Sequence, residues 1–193
     1  MKVLVVLAHP NPLSLCSRIA KVVQGALQDA GHSVDLLSLH KEQFDPVLPL
    51  SELYTIGNTD RSPQVLDFQS RVARAEALIF ISPTWWFDLP AILKGFIDRV
   101  FTPGFAFSFS KRGIPKGLLQ GKRAILIQTF ASPRFVATWL FPNAGWRNFK
   151  KSILRFCGLR RIKWLPVFST NKINAANFES KLQRVLQIAK LLA

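Results

Sequence analysis

The residues best suited to chemistry are three consecutive aromatics, Trp85, Trp86 and Phe87, held between Ser82-Pro83-Thr84 and the amphipathic stretch 89–101. Aromatic faces gathered at one turn can wall or stack on a planar ring, and the amides of the turn can donate to its heteroatoms. The plain alternative is a hydrophobic turn that covers a core. A second set follows the first apolar run: His9, Ser14, Cys16 and Ser17 stand where a helix should begin. Hydroxyls and free amides at a helix start attract an anion such as phosphate, and a histidine adds a donor. Here the plain alternative is a capped helix end. No glycine-rich loop follows that run, so the dinucleotide fingerprint is absent and phosphate binding needs this other device.

These sets require elements that bring them together. Residues 2–8 and 77–81 are short, continuous apolar runs of the kind shown by strands buried on both faces. Pro83 then ends ladder pairing and turns the chain outward. The spacing predicts helices over 15–30 (closed by Gly31), 63–74, 89–101, 147–156 (ended by Gly158) and 175–192 (opened by Asn174). Further strands are predicted over 33–38, 122–129 and 162–168. Strand and helix alternate about five times, which argues a parallel sheet wrapped on both faces. Ligands of such sheets bind in the crevice outside the carboxyl ends of the strands, where these turns fall. A polar excursion through Asp45-Pro46, Pro49 and Gly57 to Asp60 is too long for a simple connection and is expected to help cover a site.

With 193 residues, 49% of them hydrophobic and 19% charged, the chain has the apolar content for one sizeable core, and a single domain over 1–193 is expected. Cys16 and Cys157 fit no metal or redox spacing, and His9, His32 and His40 form no ligand cluster with them, so no metal is implied. The amino terminus enters a strand without a basic leader or cleavage pattern, and no apolar run nears the ~20 residues that span a bilayer. A cytoplasmic location is expected, or at most a peripheral one at the inner face of the membrane. Charge is unevenly placed: residues 1–100 hold nine Lys/Arg against ten Asp/Glu, residues 101–193 seventeen against one. Such a half-chain can be a solvated face, can steer phosphate-bearing cofactors, or can dock on an anionic membrane or acidic partner. Its densest part, 147–163, carries no nucleic-acid-binding signature, so nucleic acid is not expected as a partner.

The segment 83–100 resembles, nearly residue for residue, the flavin-contacting segment of the NAD(P)H:quinone oxidoreductases. That flavodoxin-like family includes bacterial drug-activity modulators and ancillary subunits of potassium efflux systems. The likeness continues in Gly104-Phe-Ala-Phe-Ser108, Gly117-Leu-Leu-Gln-Gly-Lys122 and Ile153-Leu-Arg-Phe-Cys-Gly158. It implies an α/β, flavodoxin-like, doubly wound five-stranded parallel sheet of order 2-1-3-4-5. It also implies FMN, with FAD as the alternative, and NADPH or NADH as donor. A hydride would pass to the flavin and two electrons onward to a quinone or another electrophile, in a protein expected to be a homodimer.

By resemblance, His9, Ser14 and Ser17 hold the flavin phosphate, with Cys16 acting through its backbone because many relatives have asparagine there. Pro83, Thr84, Trp85, Trp86 and Phe87 contact the ring. Thr129, Phe130, Ala131 and Ser132 stand where many relatives carry Thr-Thr-Gly-Gly. The glycines are missing here, yet an amide of Ala131 or Ser132 can still reach a ring oxygen and stabilise negative charge. The following aromatics Phe135, Trp139, Phe141 and Trp146 resemble a loop of some bacterial relatives, and packing at a dimer interface is the other reading. Relatives place a tyrosine and a histidine near the flavin. In this chain the only tyrosine is Tyr54 and no histidine follows His40, so no catalytic residue is assigned. The alternative to an enzyme is a regulatory flavoprotein that docks on a membrane transporter through its basic half.

Overall fold

Continuous apolar runs become the centre of a parallel sheet because both of their faces are covered. The computed structural model describes residues 1–58, 60–141, 143–174 and 176–192, apart from the side chains of residues 140, 189 and 191. In chain order the elements are β1 (Lys2–Leu7), α1 (Leu15–Asp29), β2 (Ser33–Ser38), α2 (Pro63–Arg74), β3 (Ala77–Pro83) and α3 (Ala91–Val100). An antiparallel hairpin of β4 (Phe107–Phe109) and β5 (Pro115–Gly117) follows, then β6 (Arg123–Thr129), α4 (Ala144–Asn148), β7 (Arg161–Val167), α5 (Phe178–Leu186) and α6 (Ile188–Leu192). The main sheet has the order β2-β1-β3-β6-β7. With the hairpin strands left out of the count, this is the expected 2-1-3-4-5.

Side chains alternate between two cores. Leu4, Val6, Phe80 and Leu126 pack against Phe68 of α2 and Phe96 of α3, while Val3, Val5, Ile79 and Ile125 pack against Ile19 and Val23 of α1 and Leu182 and Val185 of α5. Burying each such side chain contributes roughly 1.5–3 kcal/mol, so the sheet, not helix propensity, fixes where the helices lie.

The departures from the sequence expectations have local causes. Lys122, expected to begin a strand, instead bonds through Nζ to the carbonyls of Ala73 (2.8 Å) and Ala75, satisfying the end of α2, and β6 starts one residue later. The helix expected over 147–156 begins at Ala144 and widens into π-helical bonding over Phe149–Leu154. Phe149 and Leu154, five apart, are both fully buried, and the i→i+5 turn points both inward. The helix expected over 175–192 starts at Phe178 and breaks at Gln187; its first expected residue, 175, lies outside the described residues. There Asn174 and Asn177 exchange side-chain bonds to each other's amides, which delays the helical start. The helix expected over 89–101 is shortened to α3, because Pro90 lacks an amide and Asp88 Oδ1 takes the Leu89 amide. The β4/β5 hairpin had no periodic signal. Its Gly117 passes so close to another segment that a Cβ would sit 2.2 Å from the Gly158 nitrogen.

The long excursion after β2 clamps onto α3 rather than lying over the carboxyl edge. Gly95 of α3 meets Pro46, whose oxygen would lie 2.3 Å from an added Cβ. Arg99 of α3 forks onto Glu52 (2.8 and 2.6 Å), donates to the Asp45 carbonyl at 2.6 Å, and both charged side chains are buried. The hydrogen bonds from Arg99 hold the Glu52 carboxyl below its ordinary range. A depressed carboxyl stabilises the fold above its unfolded value of about 4.5, and that contribution is lost as pH falls through the lower, folded value. Glu52→Gln should therefore destabilise the protein by about 3–5 kcal/mol at neutral pH, because it leaves a buried guanidinium without its counter-charge. It should also flatten the acid limb of unfolding free energy against pH below about 4.5. Urea titrations of both proteins across pH 3–7 measure the two effects, and an unchanged acid limb in the variant would reject the assignment.

Candidate functional site

Three turns converge at the carboxyl edge, where the strand order reverses between β1 and β3, the place at which open α/β sheets bind ligands. Each turn touches the other two. The Thr84 amide donates to the Thr129 carbonyl at 2.8 Å, the Cys16 thiol lies 3.4 Å from Thr129 Oγ1, and the rings of His9 and Trp85 meet edge to face at 6.2 Å. The turns that the sequence singled out at 9–17, 83–87 and 129–132 are thus brought into contact at one edge of the sheet.

The turn after β1 is wound around Asn11. Its amide donates to His9 Nδ1 (3.0 Å), its Oδ1 accepts the Leu13 amide (2.8 Å), and its carbonyl accepts the Ser14 amide and the Ser17 hydroxyl. Ser14 is the N-cap of α1 and takes the Ser17 amide at 3.1 Å. Ser17's hydroxyl proton is held by the Asn11 carbonyl and its oxygen lies 2.9 Å from Ser14 Oγ, so Ser17 shapes the loop, while the first-turn amides of Leu15 and Cys16 meet no backbone acceptor among the described residues. No acidic side chain occupies that first turn, which leaves the positive end of the helix dipole uncompensated. Because Nδ1 accepts from Asn11, a neutral His9 carries its proton on Nε2 and presents a donor. Burial, with a further push from His40, holds His9 below its ordinary value and so neutral at pH 7. Burial pushes the Cys16 thiol up to about 11, which removes it as a nucleophile.

The turn after β3 is strained. Trp85 and Asp88 exchange backbone bonds of 3.2 and 3.0 Å, and between them Trp86 and Phe87 stand at φ of 51° and 59°. Two residues at positive φ make a type I′ turn, normally Asn-Gly, and bulky side chains there cost about 1–2 kcal/mol each. Phe87 recovers part of this by stacking on Phe141 at 4.2 Å, and Gly145 at the start of α4 presses on the turn, where a Cβ would lie 2.8 Å from Asp88 Oδ1. Trp86 recovers nothing within the chain, for it is 97% exposed. Core packing is therefore ruled out for Trp86. Among the described residues the amides of Trp86 and Phe87 meet no acceptor, and Thr84 Oγ1 is buried without a partner.

In the turn after β6, Phe130 is buried against Phe168 and Trp164, so its ring serves the core and only its backbone borders the crevice. The amides of Ala131 and Ser132 meet no acceptor among the described residues, although the Ser132 carbonyl accepts from Ser169. Four open amides, an orphaned hydroxyl and exposed indoles around one crevice fit a flat heterocycle with several acceptors. The helix start beside them fits its phosphate.

Asn11 and the inverted turn were missed from sequence. Asn11 carries a detectable Asx-turn signal two residues before Leu13, whereas Trp-Phe in a type I′ turn contradicts every local preference. Tyr54 packs beside the second half of α3, near Phe107 and Phe156, away from these turns. Arg160, Arg161 and Lys163 lie at the opposite, amino edge, a strand length or about 20 Å away. That is two Debye lengths at physiological salt, so these charges do not steer a ligand to the crevice. Among the described residues no cluster suits a metal ion, and no helix is long and apolar enough to cross a membrane.

The chain is 38% identical to the crystallised Smu.1420 of Streptococcus mutans, with a TM-score of 0.87 over 98% of this chain and 99% of that one. A putative quinone reductase from Klebsiella pneumoniae superposes with the same TM-score of 0.87 at 26% identity, over 99% of this chain and 85% of that one. Human ribosyldihydronicotinamide dehydrogenase (quinone) is 32% identical over 98% of this chain and 92% of its own length. A ribosyldihydronicotinamide dehydrogenase-like protein of Penicillium crustosum is 35% identical over 67% of this chain, and that match spans 57% of the fungal protein. The family model described as the flavodoxin-like fold matches residues 1–189, and the chain belongs to that family.

Proposed function

We propose that the protein is a flavin-dependent NAD(P)H oxidoreductase acting on quinones or related electrophiles, with FMN as its flavin. The observation that carries this reading is the meeting, at one crevice, of open amides from two turns with an uncompensated helix start. The quinone-reductase names of several relatives support it. When bound, a flavin would supply the redox chemistry, two-electron transfer as hydride from NADPH or NADH and onward to the acceptor.

The chain's own residues do the rest. Ser14, His9 and the amides of Leu15 and Cys16 bind the phosphate, and Trp85, Trp86 and Phe87 wall the ring. The Ala131 and Ser132 amides stabilise negative charge at its edge, a task that fixed donors perform without reorganisation. The one carboxylate at these turns among the described residues, Asp88, is occupied by the Leu89 amide, and no tyrosine stands beside it, so protons come from water, with Ser132 offering a hydroxyl on the β6 side. A homodimer is part of the proposal: Trp86, Phe135 and Trp139 at 97%, 62% and 88% exposure leave apolar surface at the crevice mouth that a second copy would cover.

The purified protein should be yellow, with flavin absorption bands, and chromatography of the released cofactor should give FMN. A colourless protein that takes up neither FMN nor FAD would reject the proposal. Trp86 separates stability from binding. Trp86→Gly should raise the unfolding free energy of the apo-protein by about 1 kcal/mol, since glycine relieves the positive φ and no packing is lost. The same change should weaken flavin retention about tenfold to a hundredfold by removing an aromatic wall worth roughly 1–3 kcal/mol. Denaturant titration of the apo-protein and fluorescence titration with FMN read the two effects. A variant that is less stable yet binds FMN as tightly as wild type would refute the role given to Trp86.

A further inference from the structure

We infer that the amino edge of the sheet carries a second, anion-binding site, built by Arg123, Arg160 and Arg161, for a ligand with clustered phosphates. Arg123 and Arg161 are direct partners in the β6–β7 register. They share the sheet face of Ile125 and Leu165, under α1 and α5. Adjacent strands lie about 4.8 Å apart, and like charges directly opposite each other destabilise a sheet. Among the described residues none of the three arginines forms an ion pair. Glu76, whose carbonyl accepts the Arg123 amide, gives its carboxylate to the Lys2 amide at 2.7 Å, and among the described residues the Arg123 guanidinium meets the Met1 sulfur at 3.6 Å.

The three arginines are not spread over a flat face. They border a cavity of about 390 Å³ with Ile125, Lys163 and Leu192, and among the described residues no acidic side chain lines it. Arg160 and Arg161 are exposed there and Arg123 is half-buried. A cavity of that volume is of small-ligand size. Guanidinium forks match phosphate oxygens in pairs, and an anion between Arg123 and Arg161 would turn their repulsion into shared attraction. The cavity lies a strand length from the crevice, and its occupancy is independent of the oxidoreductase reading.

Calorimetry of the flavin-loaded protein with inorganic pyrophosphate, at ionic strength fixed with sodium chloride, tests the site. Vesicles of phosphatidylcholine with and without phosphatidic acid test whether the phosphates belong to a lipid. Wild type should bind pyrophosphate saturably, and R160Q and R161Q should each bind it about tenfold more weakly, with flavin absorbance unchanged. Without pyrophosphate, R161Q should melt above wild type at low salt, because the opposed charges are gone. Retention on phosphatidic acid vesicles that both variants lose, without saturable pyrophosphate binding, supports the site with a lipid headgroup as its ligand. Absence of both kinds of binding, or variants that bind as wild type does, overturns the inference. Loss of flavin with pyrophosphate binding intact would reject the oxidoreductase reading and leave this site standing.

Discussion

Thr129 ties the carboxyl edge together. Its carbonyl accepts the Thr84 amide, and its hydroxyl meets the Cys16 thiol across the mouth of β1. The first contact continues the β3–β6 register one step beyond the last paired strand residues, Pro83 and Thr129. The second sets how near α1 stands to the sheet. Because Thr129 is buried, a shift at any one of the three turns must be felt by the others. A loop site thereby gains the rigidity of the strands beneath it.

That rigidity allows the strain at Trp86 and Phe87 to persist. Two bulky residues at positive φ cost a few kcal/mol together, a large fraction of the stability of a protein of this size. Phe141 and Gly145 press on the turn from the chain that follows β6, and Asp88 closes it by bonding back to Trp85. The strained geometry turns two amides and one indole outward, where an unstrained turn would pair or bury them. Strain at this position is what the proposed flavin site would draw on to keep its donors open.

The fold was legible in the sequence wherever burial on two faces wrote short apolar runs: 2–8, 77–81 and 124–127 lie in the three central strands. Strand order came from resemblance, since periodicity carries no information about neighbours. The candidate site's turns were legible by location, because Pro83 ends β3 and Ser14 caps the helix that follows β1. Its donors were not, because which amides remain open depends on acceptors distant in sequence, as Ser17's hydroxyl and Asn11's carbonyl show. The π-helical widening at Phe149 was hidden for the same reason: Phe149 packs at 5.1 Å on Phe80 of β3, distant in sequence.

The charge asymmetry is the point on which sequence order misleads and topology corrects. A run of cations after residue 100 suggests one basic face, but a parallel sheet sends each strand's first and last residues to opposite edges. Arg123 and Arg161 begin their strands and so meet at the amino edge, while Arg134, beyond the end of β6, stands on the other. Charges on the two edges are screened from one another, so the basic half cannot act as a single field. What distinguishes the amino edge is its register: two arginines held opposite each other by a rigid ladder cannot separate as surface side chains on a loop would. The sheet that fixes open amides at its carboxyl edge thus holds guanidinium groups in a fixed cluster at the other.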